Sequence, residues 1–207
     1  MNCGRCKEGT TLAWSGGVLD QLSPATGGAG PLLQRDYWAV LAGCPLTPAG
    51  VIAQVKAHFC ELPPASLVQF SAPDGIRPGA VLDIRIAPAQ SCRVRVLHED
   101  RLSVTLGTLA GHPEAGRITF GAYRNDAGDV IFHIRSRARS ASTLTRMGFL
   151  AIGDAMQTNT WVDFINNTAT AVGALIPDGI RADTQEVEES AEDGEPLQSP
   201  TFLAVGD

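Results

Sequence analysis

Between residues 67 and 138 the side chains alternate apolar and polar with a period of two, and no other stretch constrains the fold as strongly. Such alternation builds strands with one dry and one wet face, because successive side chains of a strand point to opposite sides. It divides into candidate strands at 66–71, 80–87, 91–99, 101–109, 117–124 and 130–138, separated by short polar or glycine-bearing turns. Asn125-Asp126-Ala127-Gly128 has the composition of a hairpin turn. Strands joined this tightly are antiparallel neighbours in a meander.

The two faces separate by parity. One carries Leu82, Ile84 and Ile86, then Cys92, Val94 and Val96, then Leu102, Val104 and Leu106, then Ile118, Phe120 and Ala122, and last Val130, Phe132 and Ile134. The other carries Asp83, Arg85, Arg93, Arg95, Arg101, Ser103, Thr105, Arg117, Thr119, His133, Arg135 and Arg137. A sheet with one dry face needs a covering layer. Residues 142–172 supply it, with Leu144, Met147, Ala151, Ala155, Val162, Ile165, Ala169 and Val172 at helical spacing. Phe149, Ile152, Met156, Trp161 and Phe164 widen that stripe. At about 1.5 Å per residue the helix spans roughly 45 Å, enough to cross a curved sheet.

Ahead of the meander, residues 35–41 read as a strand. Thr47 and Pro48 then open a short helix as N-cap and first helical residue, with Val51, Ile52, Val55 and Phe59 on its apolar side. Pro63-Pro64 ends it. The expected organisation is a flexible leader over 1–30, one α+β domain over 31–173, and an acidic disordered tail over 174–207.

The formal charge of −6 belongs to that tail. Residues 178–207 carry nine acidic groups against Arg181 alone, so the remainder is faintly basic. No apolar run approaches the roughly 18 residues of a membrane span, and the first residues lack the pattern of a signal peptide. The expected location is therefore cytoplasmic. Of five cysteines, Cys44, Cys60 and Cys92 lie in apolar or strand-like contexts and are expected to be buried, inert thiols. Cys3 and Cys6 form a Cys-x-x-Cys with no second pair at zinc spacing, and read as part of the leader.

One segment breaks the alternation. Gly107-Thr108-Leu109-Ala110-Gly111-His112-Pro113-Glu114-Ala115-Gly116 is a glycine-flanked turn carrying a histidine, a proline and an acid. With Phe120 further on and Ser136-Arg137 at the end of the last strand, it resembles the domain-of-unknown-function family nineteen-ninety, over roughly residues 31 to 170. That family is grouped with the START and major-birch-pollen-allergen-like proteins. The resemblance implies a helix-grip fold, in which a curved antiparallel meander wraps around a long C-terminal helix. It also implies a hydrophobic cavity between sheet and helix, and brings no assigned activity.

The function expected on these grounds is binding of a hydrophobic small molecule or lipid in that cavity. Its lining is expected from Leu82, Ile84, Val94, Val104, Leu106, Phe120, Phe132, Ile134, Met147, Ala151, Ala155 and Phe164, with His112, Glu114 and Arg124 at the entrance. Burial of 200 Å² of ligand is worth roughly 5 kcal/mol before binding costs. His98 and Thr108 extend the dry face at its rims by parity, and Asp154 on the helix would need a partner if it faced inward.

Two alternatives belong to other classes. In one, His112 and Glu114 form an acid–base pair for proton transfer on a hydrophobic substrate. In the other, the arginine-rich sheet face engages an acidic partner, and the chain's own tail is a candidate for that role. Absence of aromatic residues on this face argues against nucleic acid. No cofactor is expected, and the four histidines show no metal-ligand spacing.

Overall fold

A computed structural model describes residues 20–88, 90–143 and 153–190, and in the last segment the side chains from Gln157 onward. The chain forms β1 (Ala29–Val40), α1 (Pro48–His58), β2 (Val68–Ser71), β3 (Val81–Ile86), β4 (Gln90–Glu99), β5 (Ser103–Thr108), β6 (Glu114–Arg124), β7 (Val130–Ser140), α2 (Gly153–Ala171) and β8 (Arg181–Val187). The strands make one antiparallel sheet in the order β2-β3-β4-β5-β6-β7-β1-β8. The meander is continuous from β2 to β7, and β1 returns to pair with β7 along its whole length. This is the helix-grip arrangement: α1 and α2 lie on the concave side of the sheet and share its core.

Local sequence accounts for the helices. Thr47 is extended and its hydroxyl accepts from the Gly50 amide at 3.2 Å, while Pro48 supplies the first helical residue. Val51, Ile52, Val55 and Phe59 are all buried against the sheet. On α2 the buried stripe is Thr160, Phe164, Ile165, Thr168 and Ala169, continued by Val172 just past its end, at the three- and four-residue spacing of one helix face. Val162, expected on that stripe, is half-buried beside it. Leu144, Met147, Phe149, Ala151 and Ile152 lie outside the described residues, as does the Cys3/Cys6 pair.

The centre of the core is aromatic. Phe120 packs against Phe59 at 5.1 Å, Phe164 at 5.1 Å and Trp161 at 5.6 Å between ring centroids. Phe59, at the C-terminal cap of α1, also meets Phe164 at 5.5 Å, joining α1 to α2 directly. Edge-to-face and tilted rings of this kind add about 0.5–1.5 kcal/mol per pair beyond their area burial.

Strict alternation fails at three places, each for a local reason. A bulge between Val96 and His98 shifts the β4–β5 register, so that His98 stands opposite Thr105 and Glu99 opposite Val104. The extra residue moves His98 off the concave face and puts Glu99 there instead, where it pairs with Lys56 of α1. Leu102 is 41% exposed rather than on the dry face, because Asp100 Oδ1 accepts from the Leu102 amide at 2.8 Å and the Ser103 amide at 2.7 Å. That side-chain turn delays β5 to Ser103. β6, in turn, begins at Glu114 rather than at residue 117, since the strand starts directly from the His112 turn.

The outer face is not uniformly wet. Ser103, Thr105 and His133 are fully buried there. Asp36 of β1 receives His133 Nε2 at 2.7 Å and Arg135 Nε at 2.6 Å on one carboxylate oxygen, and Gln34 Nε2 at 3.0 Å on the other. Burial alone would raise the Asp36 carboxyl, but these hydrogen bonds and charges hold it below its ordinary value. Burial likewise pushes His133 down, only partly offset by Asp36. A satisfied cluster of this kind ties β1 to β7.

The acidic segment expected to be disordered begins with structure. β8 pairs with β1 from Leu32↔Val187 to Trp38↔Arg181, covering the edge that β1 would otherwise present. Just beyond it, Arg139 meets Glu189 at 2.9 Å and Arg137 donates to the Glu188 carbonyl at 3.2 Å. Cys60, expected to be buried, is exposed, whereas Cys92 is buried and Cys44 partly so. Burial pushes the Cys92 thiol up to about 12, with the Glu114 charge adding to it, so this sulfur stays protonated and inert.

Candidate functional site

The glycine-flanked loop is built by its own residues. A Cβ at Gly107 would lie 2.7 Å from Leu97 Cδ1, so the bulged Leu97 packs directly on this backbone. Gly116 has φ +151°, and a Cβ there would collide with the Arg137 carbonyl and sit 2.7 Å from Ala138 Cα. Only glycine lets β6 approach β7 at that point. Thr108 Oγ1 closes the hairpin, accepting from the Gly116 amide at 3.0 Å and donating to the Ser23 carbonyl at 2.8 Å.

Within this frame the His112 ring turns back on its own loop. Its Nδ1 lies 3.0 Å from both the amide nitrogen and the carbonyl oxygen of Glu114. The Glu114 carboxylate points elsewhere, to Arg35 Nη1 at 3.5 Å and Gln157 Nε2 at 2.5 Å. The two side chains of the proposed proton-transfer pair are thus committed to different partners. Burial lowers His112 to about 4, with the backbone contact to Glu114 working against it, so the imidazole is neutral at pH 7.

Between the aromatic core and this loop the concave sheet and α2 do not close. The gap is a cavity of about 100 Å³. Val68 and Phe70 of β2, Ile84 and Ile86 of β3, and Val94 of β4 form one wall. Leu106, Ile118 and Ala138 form the floor, and Trp161 and Thr160 of α2 the roof. At one pole stand His112, Glu114, Gln157, Thr108 and Ser136. The engineered cavity of about 150 Å³ that stays dry and accepts benzene gives the scale: one ring or a short branched chain, not a whole acyl lipid.

Of the lining residues expected from sequence, Ile84, Val94 and Leu106 border this cavity, as do His112 and Glu114. Leu82, Val104, Phe120, Phe132, Ile134 and Phe164 do not: they are buried elsewhere in the hydrophobic core. Dry-face parity placed them correctly toward the helices, but facing rings from α1 and α2 fill the space above them. Arg124 is also displaced. It is exposed at the tip of the β6–β7 hairpin and donates to the Gly128 carbonyl within that turn. The side chains of Ala155 and Asp154 fall outside the described residues, and so do Met147 and Ala151. Arg35 and Gln157 carried no sequence signal, while β2 and Trp161, read in the sequence as a strand and as part of the helix stripe, were not expected at the cavity.

A pH dependence follows from His112. Its folded value lies below the ordinary 6.5, so the unfolded chain takes up this proton first as pH falls. The fold is therefore at full stability above pH 6.5 and loses it progressively down to about 4. The shift corresponds to about 3 kcal/mol for a fully buried ring, and about 2 kcal/mol allowing for its partial contact with solvent. Urea midpoints at pH 7 and 4.5 should show this loss, and His112→Asn should reduce the difference. An unchanged midpoint in the native protein would contradict the burial of this ring.

The family model described as "Domain of unknown function (DUF1990)" matches residues 57–166, over half of the chain. The chain belongs to this family. The match takes in the meander, the His112 loop and the first part of α2, while β1 and β8 lie outside it. No curated protein matches the sequence. Among solved structures, the di-domain ARO/CYC StfQ from the steffimycin biosynthetic pathway is similar with a TM-score of 0.50 at 10% identity, over 69% of this chain and 51% of that one. This chain thus spans about half the length of StfQ. Norcoclaurine synthase from Thalictrum flavum aligns at TM-score 0.49 and 10% identity, over 82% of this chain and 98% of that one. Ara h 8.0201 aligns at 0.43 and 12%, over 68% and 97%. At 10% identity the likeness to StfQ is one of fold alone. Among the described residues no helix is long and apolar enough to cross a membrane.

Proposed function

We propose that this protein binds a small apolar ligand in the cavity between its sheet and α2. The observation that carries the reading is a space of about 100 Å³ walled by Val68, Phe70, Ile84, Val94, Leu106 and Trp161 between the sheet and α2. Interiors are packed as densely as organic crystals, and an apolar void of this size forfeits contacts that a ligand restores. The aromatic core behind it supplies a rigid wall, so little ordering is needed on binding. The size restricts the ligand to about one ring, or to the terminal portion of something longer.

Filling the void is the test. Val94→Phe adds a ring from the β4 wall at a cost of about 1–3 kcal/mol in packing strain. Toluene added to the native protein is expected to shift the amide resonances of β3, β4 and α2, and to leave those of the folded variant unmoved. Unaltered toluene binding by Val94→Phe would exclude this space as the site.

The same reading assigns the arginine-rich outer face to the chain itself. Arg139 on Glu189, Arg137 on Glu188 and Arg135 on Asp36 support it, since these guanidinium groups are already engaged.

A further inference from the structure

We infer that the cavity selects a neutral ligand of single-ring size bearing one hydroxyl, which is held on Nε2 of His112. The inference rests on the binding reading above and narrows it. The cavity has one polar pole, and its groups differ in availability. Glu114 is occupied by Arg35 and Gln157, and Thr108 by Ser23 and Gly116. Arg117 borders the cavity but has interactions of its own. His112 has its Nδ1 committed to the Glu114 backbone, and among the described residues Nε2 has no partner. His112 borders the cavity and its Nε2 is not sealed, whereas Gln157 Oε1, the other acceptor there without a partner, is sealed off from any ligand.

The chemistry of that nitrogen sets the ligand class. A neutral imidazole presents either an N–H or a lone pair at Nε2, depending on which way Nδ1 bonds to Glu114. A hydroxyl both donates and accepts, so it suits either tautomer. A carboxylate or an ammonium would have to shed its hydration shell in an apolar space, with no free opposite charge to meet it. The aromatic wall of Phe70 and Trp161 favours a flat ring for the remainder.

Phenol, toluene and benzoate separate the possibilities, with binding followed by amide chemical-shift titration of the full chain. In a purely apolar cavity phenol binds more weakly than toluene, because its hydroxyl loses water without replacement. The expected result is the reverse: phenol at least tenfold tighter than toluene, and no saturable binding of benzoate. In His112→Phe the preference should vanish while toluene still binds, which shows that the fold and cavity survive. His112→Asn offers the Glu114 amide an acceptor but nothing at the position of Nε2, and should lose the preference likewise. Equal affinities in the native protein, or a preference that persists in both variants, would overturn the assignment to His112 and leave apolar binding standing. Benzoate binding as tight as phenol would overturn the restriction to neutral ligands. Failure of toluene and phenol alike would bring down the binding reading itself.

Discussion

Phe120→Ala should destabilise the protein by about 4 kcal/mol, and Phe120→Asp should leave it unfolded. The ring is completely buried and touches Phe59, Phe164 and Trp161, one aromatic from α1 and two from α2. Truncation removes three ring contacts at once and opens a void that the rigid sheet cannot collapse. A carboxylate at this position would have no cation in reach, and a buried unpaired charge costs more than a domain's whole margin of stability. Thermal unfolding of the alanine variant and a one-dimensional proton spectrum of the aspartate variant decide the matter. A loss of less than about 1 kcal/mol in Phe120→Ala would mean that the three rings do not converge as described. The parity of the strands alone makes Phe120 a ligand contact. The structure makes it the keystone behind the cavity, so mutating it reports on folding and not on binding.

Gly116→Ala should cost at least about 3 kcal/mol, a large effect for one methyl group. Two penalties coincide. The backbone is at φ +151°, which an L side chain resists, and the added carbon meets the Arg137 carbonyl and Ala138. Relief requires β6 to draw away from β7, which breaks the ladder at Gly116↔Ala138 and the Thr108 contact that locks the hairpin. Because the loop carries His112 and Glu114, the cavity's polar pole should be disturbed too. Hydrogen exchange at the β6–β7 junction would reveal the separation, and native-like protection there would refute it. Gly111 is a useful contrast: a Cβ there meets open space, so only its φ of +90° opposes substitution.

The sequence made the architecture legible because two periodicities, two along the strands and near four along the helix, bind many residues to one answer. Leu82, Ile84, Val94, Val104, Phe120, Phe132 and Ile134 do face the helices, and Thr47-Pro48 does start α1. What escaped were events of a single residue. One additional residue at Leu97 reverses the parity of His98 and Glu99, and one aspartate turn at Asp100 turns Leu102 outward. Periodicity averages over such steps. β8 escaped for another reason. Its residues are almost all exposed, so it carries no apolar pattern, and it is held by backbone bonds to β1 that composition does not encode.

The cavity was the least legible part, since it depends on volume. Parity lists which side chains point inward, but not where opposing side chains meet and where they fall short. Phe120, Phe132 and Phe164 find partners; Ile84, Val94 and Leu106 do not find enough. The polar pole depends on residues far apart in the chain, with Arg35 separated from Glu114 by 79 positions. Only the His112 loop advertised it, through glycines required by close approach at Gly107 and Gly116 and by a positive φ at Gly111.

One consequence of β8 concerns crowding. A seven-stranded sheet that ended on β1 would offer the amides of Leu32, Tyr37 and their neighbours to any passing chain. The strand that ends it instead bears Asp183 and Glu186, with Glu188 and Glu189 following. Two copies meeting flank to flank would set carboxylates against carboxylates, so the sheet carries its own terminator against growth into fibres.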